Sequence, residues 1–246
     1  MKRTVRLLAL AAALLAILSC NETAKKKALL PNISGKAGEV IVVINKGDWE
    51  GAVGTTLRDT LAQDCPFLPQ KEPLYTLADV PPTSFTSMFQ LHRNIIIVRI
   101  GNDVTEPGVT LRQDVWARPQ CVISINAIDS DSAVQLIKDN SKRIMAALEQ
   151  AERDRIIANS KKYEELSLAP VVQNMIGGSP HFPSGYKLKK KTDDFIWIEY
   201  SVQYVTQGIL IYKYPVVKGE EMMDLDNLIA ENNAVLKENV PGMFEN

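Results

Sequence analysis

Two histidines and three cysteines are all that 246 residues contain, and that scarcity removes several chemistries at once. His92 and His181 belong to no H-x-x-x-H, C-x-x-C or EF-hand spacing, so the common zinc and calcium frameworks have no counterpart, and neither metal nor cofactor is expected. No G-x-S-x-G elbow occurs, and neither Cys65 nor Cys121 has a histidine nearby, which leaves covalent catalysis without a recognisable pair. An excess of positive charge is missing too. Against 29 Asp and Glu stand 28 Lys and Arg, a net charge of −1, whereas nucleic-acid binding leans on clustered cations that release counterions. After the first twenty residues there is no apolar run near the ~20 residues of a membrane span. What remains, 46% hydrophobic and 23% charged, is an ordinary globular balance able to build a core.

The exception to this plainness is Met1 to Cys20. Lys2, Arg3 and Arg6 form a positive head, Leu7 to Leu18 runs uninterrupted through Leu, Ala and Ile, and Ser19-Cys20 closes the stretch. Twelve apolar residues rise about 18 Å as a helix, short of a ~30 Å hydrocarbon core, so the stretch reads as a secretory signal and not as a span. Ile17-Leu18-Ser19-Cys20 resembles the bacterial lipobox, which implies cleavage before Cys20 and a lipid on its thiol; the other reading is a plain signal with a chance cysteine. Two or three acyl chains would hold a soluble body firmly to a membrane. Removal of residues 1–19 leaves 246 − 19 = 227 residues with a net charge of −1 − 3 = −4. Cys65 and Cys121 are then a candidate disulfide in an exported chain, closing a loop worth roughly 4 kcal/mol by chain entropy. Two separate buried thiols are the alternative.

Residues 20–37, with Lys25, Lys26 and Lys27 in a row, read as a lipidated N-terminus and flexible tether. A first α+β module is expected over 38–168. Glu39 to Asn45 is a β-branched run, hence a buried strand; a helix over about Trp49 to Gln63 follows, with Asp48 as N-cap. Gly47, Gly51 and Gly54 match neither phosphate-loop spacing. Cys65 to Ser87, with five prolines, is expected to be irregular and packed by its aromatics. Asn94–Ile100, Val109–Trp116 and Gln120–Ala127 read as an antiparallel ribbon or meander, and Asp129 to Glu165 as one long helix capped by Ser130 or Ser132.

A second module, 169–246, begins with the breaker-rich Pro170 to Gly185. Strands are expected over Gly185–Lys191, Asp194–Val205 and Gly208–Pro215, the last two joined through Thr206-Gln207-Gly208. A helix over about Met222 to Lys237 follows, with Leu225, Leu228, Ile229 and Leu236 inward. The whole predicts an α+β fold of mainly antiparallel sheets with helices packed on one face, as two similar strand-strand-helix modules, the second open to truncation at its Pro-Gly end.

Side chains that could carry chemistry are few. His92 at a strand entrance reads as a hydrogen-bonding loop residue, Asp193-Asp194 as a turn, and Trp49, Trp116, Trp197 and Tyr200 as core or half-buried positions rather than a sugar platform. Leu30-Pro31, Gly35 to Val40, Leu68 to Pro73, His92 to Ile95, Trp116 to Gln120 and Thr206 to Ile209, taken in order, resemble a family of bacterial envelope lipoproteins described as domain of unknown function (DUF) 4837. The resemblance spans most of the chain after the tether and implies an envelope location, but no activity, cofactor or site residue. The expectation is therefore a lipid-anchored cell-envelope protein, at the outer membrane, that binds or assembles rather than catalyses. Its partners would be the membrane, through Cys20, and an envelope protein or glycan. The alternative is an envelope hydrolase acting on glycan or peptidoglycan through carboxylates from separate strands.

Overall fold

The computed structural model describes residues 29–215, 219, 223–240 and 242. The signal stretch, Cys20 and the Lys25–Lys27 run lie outside the described residues, as does most of the chain after Val240. The rest divides into two compact units between Arg155 and Ile156, thirteen residues before the boundary at Leu168 expected from the sequence.

The first unit runs β1 (Glu39–Val43), α1 (Lys46–Glu50), α2 (Ala52–Leu61), β2 (Thr76–Val80), α3 (Ser87–Gln90), β3 (Asn94–Ile100), β4 (Gly108–Gln113), β5 (Cys121–Ala127), α4 (Ser130–Asp139) and the first part of α5 (Ser141–Lys162). Its five strands form one sheet in the order β2-β1-β3-β5-β4. β1 pairs in parallel with β2 and β3, and β3 in parallel with β5; β4 alone runs antiparallel, against β5. The α+β class therefore holds, with a mixed sheet in this unit where an antiparallel meander was expected. Burial explains the order. β3 and β5 are apolar on both faces and take the centre, while β4 is half-exposed along its length and belongs at an edge.

Helices α2, α4 and α5 cover one face of this sheet, while the short α3 lies over the other. Val40, Val42, Ile96, Val98, Ile123 and Ile125 meet Val53, Leu57 and Leu61 of α2, Ala133 and Ile137 of α4, and Ile144 and Leu148 of α5. Over the other face, Ile41, Val43, Ile95 and Val122 are roofed by Phe85, Phe89 and Trp116. The proline-rich stretch packs by Tyr75 and Phe85 but not by Phe67, which is fully exposed, and it also hides β2, unread in the sequence because only Val80 of its five residues is buried.

Local chemistry divides two expected helices. The first breaks at Gly51. A Cβ on Gly54 would lie 1.9 Å from the Trp49 carbonyl oxygen, so only glycine lets α1 fold against the start of α2. Asp48 is not the cap; its carboxylate accepts a hydrogen bond from Ser130 Oγ at 3.2 Å. The long helix breaks at Asn140, and α4 is capped by Asp129, whose carboxylate accepts from the Ser132 backbone N–H at 2.7 Å, in place of Ser130 or Ser132.

The second unit contains the end of α5, α6 (Ala169–Ile176), β6 (Lys187–Lys191), β7 (Phe195–Val202), β8 (Val205–Tyr212) and α7 (Leu225–Asn239). Its sheet, β6-β7-β8, is antiparallel as expected. The hairpin turns earlier than read, at Gln203-Tyr204, because Ser201 opposite Thr206 and Tyr200 opposite Gln207 extend the ladder. Leu168, Val172, Phe182, Ile196 and Ile198 form the core. In α7 only Leu228 and Leu236 of the four expected residues turn inward, each half-buried; Leu225 and Ile229 are exposed. A five-stranded mixed sheet and a three-stranded antiparallel one are not copies of one module.

Candidate functional site

The densest set of buried polar side chains in the first unit lies where β1, β3 and β5 begin. Parallel pairing brings the starts of these strands to one edge of the sheet, and α5 passes that edge. Glu152 and Arg155, three residues apart on α5, project from the same helix face. Arg155 is 8% exposed. Its guanidinium donates to the carbonyl oxygens of Pro119 (3.1 Å) and Arg93 (2.8 Å) and to Asn94 Oδ1 (3.0 Å). Glu152 Oε1 sits 3.0 Å from Arg155 Nη1 and accepts from Asn94 Nδ2 at 2.9 Å, and its Oε2 lies 3.5 Å from Arg93 Nη1. Asn94 Nδ2 also donates to the Glu39 carbonyl at 3.0 Å.

A second layer continues the pattern. Gln120 Nε2 donates to the carbonyls of Gln90 (2.6 Å) and His92 (2.7 Å), while its Oε1 accepts from the Trp116 N–H at 3.0 Å. His92 Nδ1 faces the Asn94 carbonyl at 3.2 Å, and Nε2 lies 3.5 Å from Glu39 Oε2. Burial also acts on nearby titrating groups. It raises the Tyr75 hydroxyl to about 12, with the charges of Glu149 and Glu152 adding to the shift. Desolvation pushes the Cys121 thiol up to about 11.

This arrangement holds backbone and offers little to a substrate. The partners of Arg155 and Gln120 are mostly main-chain carbonyls of segments entering different strands, so the cluster works as a latch between α5 and the strand starts. Glu152 is matched to two guanidinium groups, not to a second carboxylate as a glycosidase pair requires. Arg93 Nε is buried without a hydrogen-bond partner, the one such side-chain atom among the described residues. The adjoining hollow, between Asp114, Arg118, Gln120, Asp154 and Arg155, has a volume of about 140 Å³. That is below the ~300 Å³ at which small-molecule sites begin.

The second unit has more open space. A groove of about 470 Å³ runs along Gly185, Lys187, Leu188, Lys189, Glu199, Tyr200 and Ser201. Tyr200 stacks on Tyr186 with ring centroids 5.4 Å apart, and the Tyr186 hydroxyl donates to Gln207 Oε1 at 2.7 Å. Lys189 pairs with Glu199 at 3.6 Å. Aromatic faces beside paired charges suit an extended polar ligand.

The residues singled out in the sequence scatter. Cys20 lies outside the described residues. Cys65 and Cys121 are both free, so the candidate disulfide is not formed: Cys121 is buried in the core, its Sγ 3.9 Å from the Ala147 carbonyl, whereas Cys65 sits in a surface loop. Trp49 lies under Arg58 at 4.6 Å and Trp116 packs edge-on to Phe85, while Trp197 and Tyr200 point to opposite faces of β7, so no aromatic platform forms. Asp193-Asp194 does form the turn into β7, with Thr192 Oγ1 donating to Asp194 at 2.8 Å. Sequence reasoning missed the latch. The one available signal was the i, i+3 spacing of Glu152 and Arg155, indistinguishable from the charges around it.

Residues 33–161 match the family model of a domain of unknown function (DUF8532), over more than half of the chain. Residues 165–246 match a second, the domain of unknown function (DUF4837). The chain belongs to the DUF8532 family, and its second part to DUF4837. The DUF4837 resemblance thus stands, over the second part and not most of the chain. Of the segments that carried it, only Thr206 to Ile209 falls in that match; the latch lies in the DUF8532 match and the groove in the DUF4837 match. No curated protein and no solved structure matches the chain.

Proposed function

We propose that the chain is a lipid-anchored component of a bacterial cell envelope that binds or assembles with a partner and does not catalyse a reaction. Cys20 carries the lipid, and the outer membrane is the expected site. The observation that carries the non-catalytic reading is the self-contained pairing of the buried polar side chains: Glu152, Arg155 and Gln120 are engaged by protein groups and hold backbone in place. The groove of the second unit beside Tyr200 is where an envelope protein or a glycan would lie.

Two measurements test the reading. Cys20→Ala should move the protein from the membrane to the soluble fraction, and mass spectrometry of the native chain should find diacylglycerol on that sulfur; a bare thiol, or full retention of the variant, would overturn the anchor. A photo-reactive amino acid at Leu188, which is 41% exposed in the groove, should yield a discrete adduct in intact cells. Its absence, beside adducts from a distant surface position, would overturn the groove.

A further inference from the structure

We propose that the loop tipped by Phe67 and Leu68 is a membrane-contact element, inserted into the interfacial layer of the bilayer to which Cys20 tethers the chain; this rests on the anchor reading above. Phe67 is 102% exposed and Leu68 47% exposed, so neither contributes to the core. Phe67 also adopts φ +65°, a left-handed conformation that costs a bulky side chain strain and that glycine or asparagine would take freely. A strained aromatic held wholly in solvent gains nothing from the fold, and such outliers collect where a surface is used.

Position supplies the occupant. The loop rises from a short ladder in which Cys65 N–H donates to Glu72 O (2.7 Å), Leu74 N–H to Gln63 O (2.9 Å) and Tyr75 N–H to Leu61 O (3.0 Å). Thr76 then enters β2 opposite Glu39, so the ladder stands at the edge where the parallel strands begin. The chain coming from Cys20 arrives at the same edge: Asn32 bridges to Arg118, and Ser34 to His92. Whatever its conformation, the eleven-residue step from Cys20 to Pro31 reaches at most about 40 Å, which keeps this edge near the bilayer. The loop carries no excess of positive charge, because Lys71 pairs with Asp64 (3.4 Å) and Glu72 follows it. Attraction therefore comes from the apolar tip, in the manner of an interfacial anchor, and not from headgroup charge.

The test uses the mature acylated chain, with an environment-sensitive fluorophore on Cys65, reconstituted on phosphatidylethanolamine–phosphatidylglycerol vesicles that carry brominated acyl chains. A blue-shifted emission quenched by bromine, and unchanged by high salt, is expected. Phe67→Ser with Leu68→Ser should lose both signals while still floating with the vesicles. Phe67→Gly relieves the left-handed strain, so it should unfold at higher denaturant yet lose the quenching. A chain that floats but keeps a water-like, unquenched fluorophore overturns the proposal and leaves the anchor intact. A signal that appears only in native envelope vesicles overturns it in favour of a protein contact, and a chain that does not float at all overturns the anchor and the proposal together.

Discussion

Arg155 is the residue on which the edge of the first unit depends most. It reaches two chain segments at once, Arg93 and Asn94 at the start of β3 and Pro119 before β5, and a forked guanidinium is needed to do so. Arg155→Met should cost about 3–5 kcal/mol in urea denaturation, because it leaves the Glu152 carboxylate buried with only the more distant Arg93. The double variant Arg155→Met, Glu152→Met should recover much of that loss; a double variant no more stable than the single one would mean the latch is not the source of the penalty. The thiols give a second residue-scale prediction. Burial holds the Cys121 thiol near 11, so at pH 8 only about one molecule in a thousand carries the reactive thiolate. A disulfide-exchange reagent should therefore label one thiol of the native acylated chain, Cys65, and a second only in denaturant. Two fast thiols, or none until a reductant is added, would contradict the free and unequal pair.

At the scale of elements, capping and edge contacts set the acid limit. Asp129 is held below the ordinary 3.8 of an aspartate by its hydrogen bond with Ser132, and Glu39 below 4.5 by the Lys36 backbone N–H and then by His92. A depressed carboxyl contributes stability that is complete above its unfolded value and lost as the pH falls through its folded one. Stability should thus be level near neutrality and decline from about pH 4.5 downward. Asp129→Asn keeps a capping oxygen and should flatten part of that decline, whereas Asp129→Ala should weaken α4 at every pH. Circular dichroism melts across pH 3 to 7 would show it, and identical acid profiles for the three proteins would refute the cap. Elements also differ in how plainly they were written. Asn94–Ile100 was legible to the residue because Ile95 to Val98 is a β-branched run too short for a core helix, which favours a strand buried on both faces. α6 carried signals of its own, Pro170 in the first turn and the left-handed Gly177 after the last, but the prolines and glycines around them read as a loop. β2 left no pattern, because its pairing with β1 is made by backbone.

On the scale of the whole molecule, two separate cores predict two separately perturbed units. Phe182 is 1% exposed in the core of the second unit, and Phe182→Ala should cost about 3–5 kcal/mol there. Hydrogen exchange should then quicken in β7 and β8 while the amides of β1, β3 and β5 keep their protection. Equal acceleration in both sheets would mean that the chain unfolds as one cooperative body.

The sequence by itself determined the α+β class, the central strands, the antiparallel second sheet and the turn at Asp193-Asp194. Each of these follows from local composition and periodicity, which act over a few residues. Strand order, the parallel pairing of β1, β3 and β5, the separation of Cys65 from Cys121 and the burial of Arg155 were decided only by the tertiary structure. They depend on which distant segments compete for the same apolar face, and a guanidinium whose partner is 61 residues away leaves no trace in its own neighbourhood.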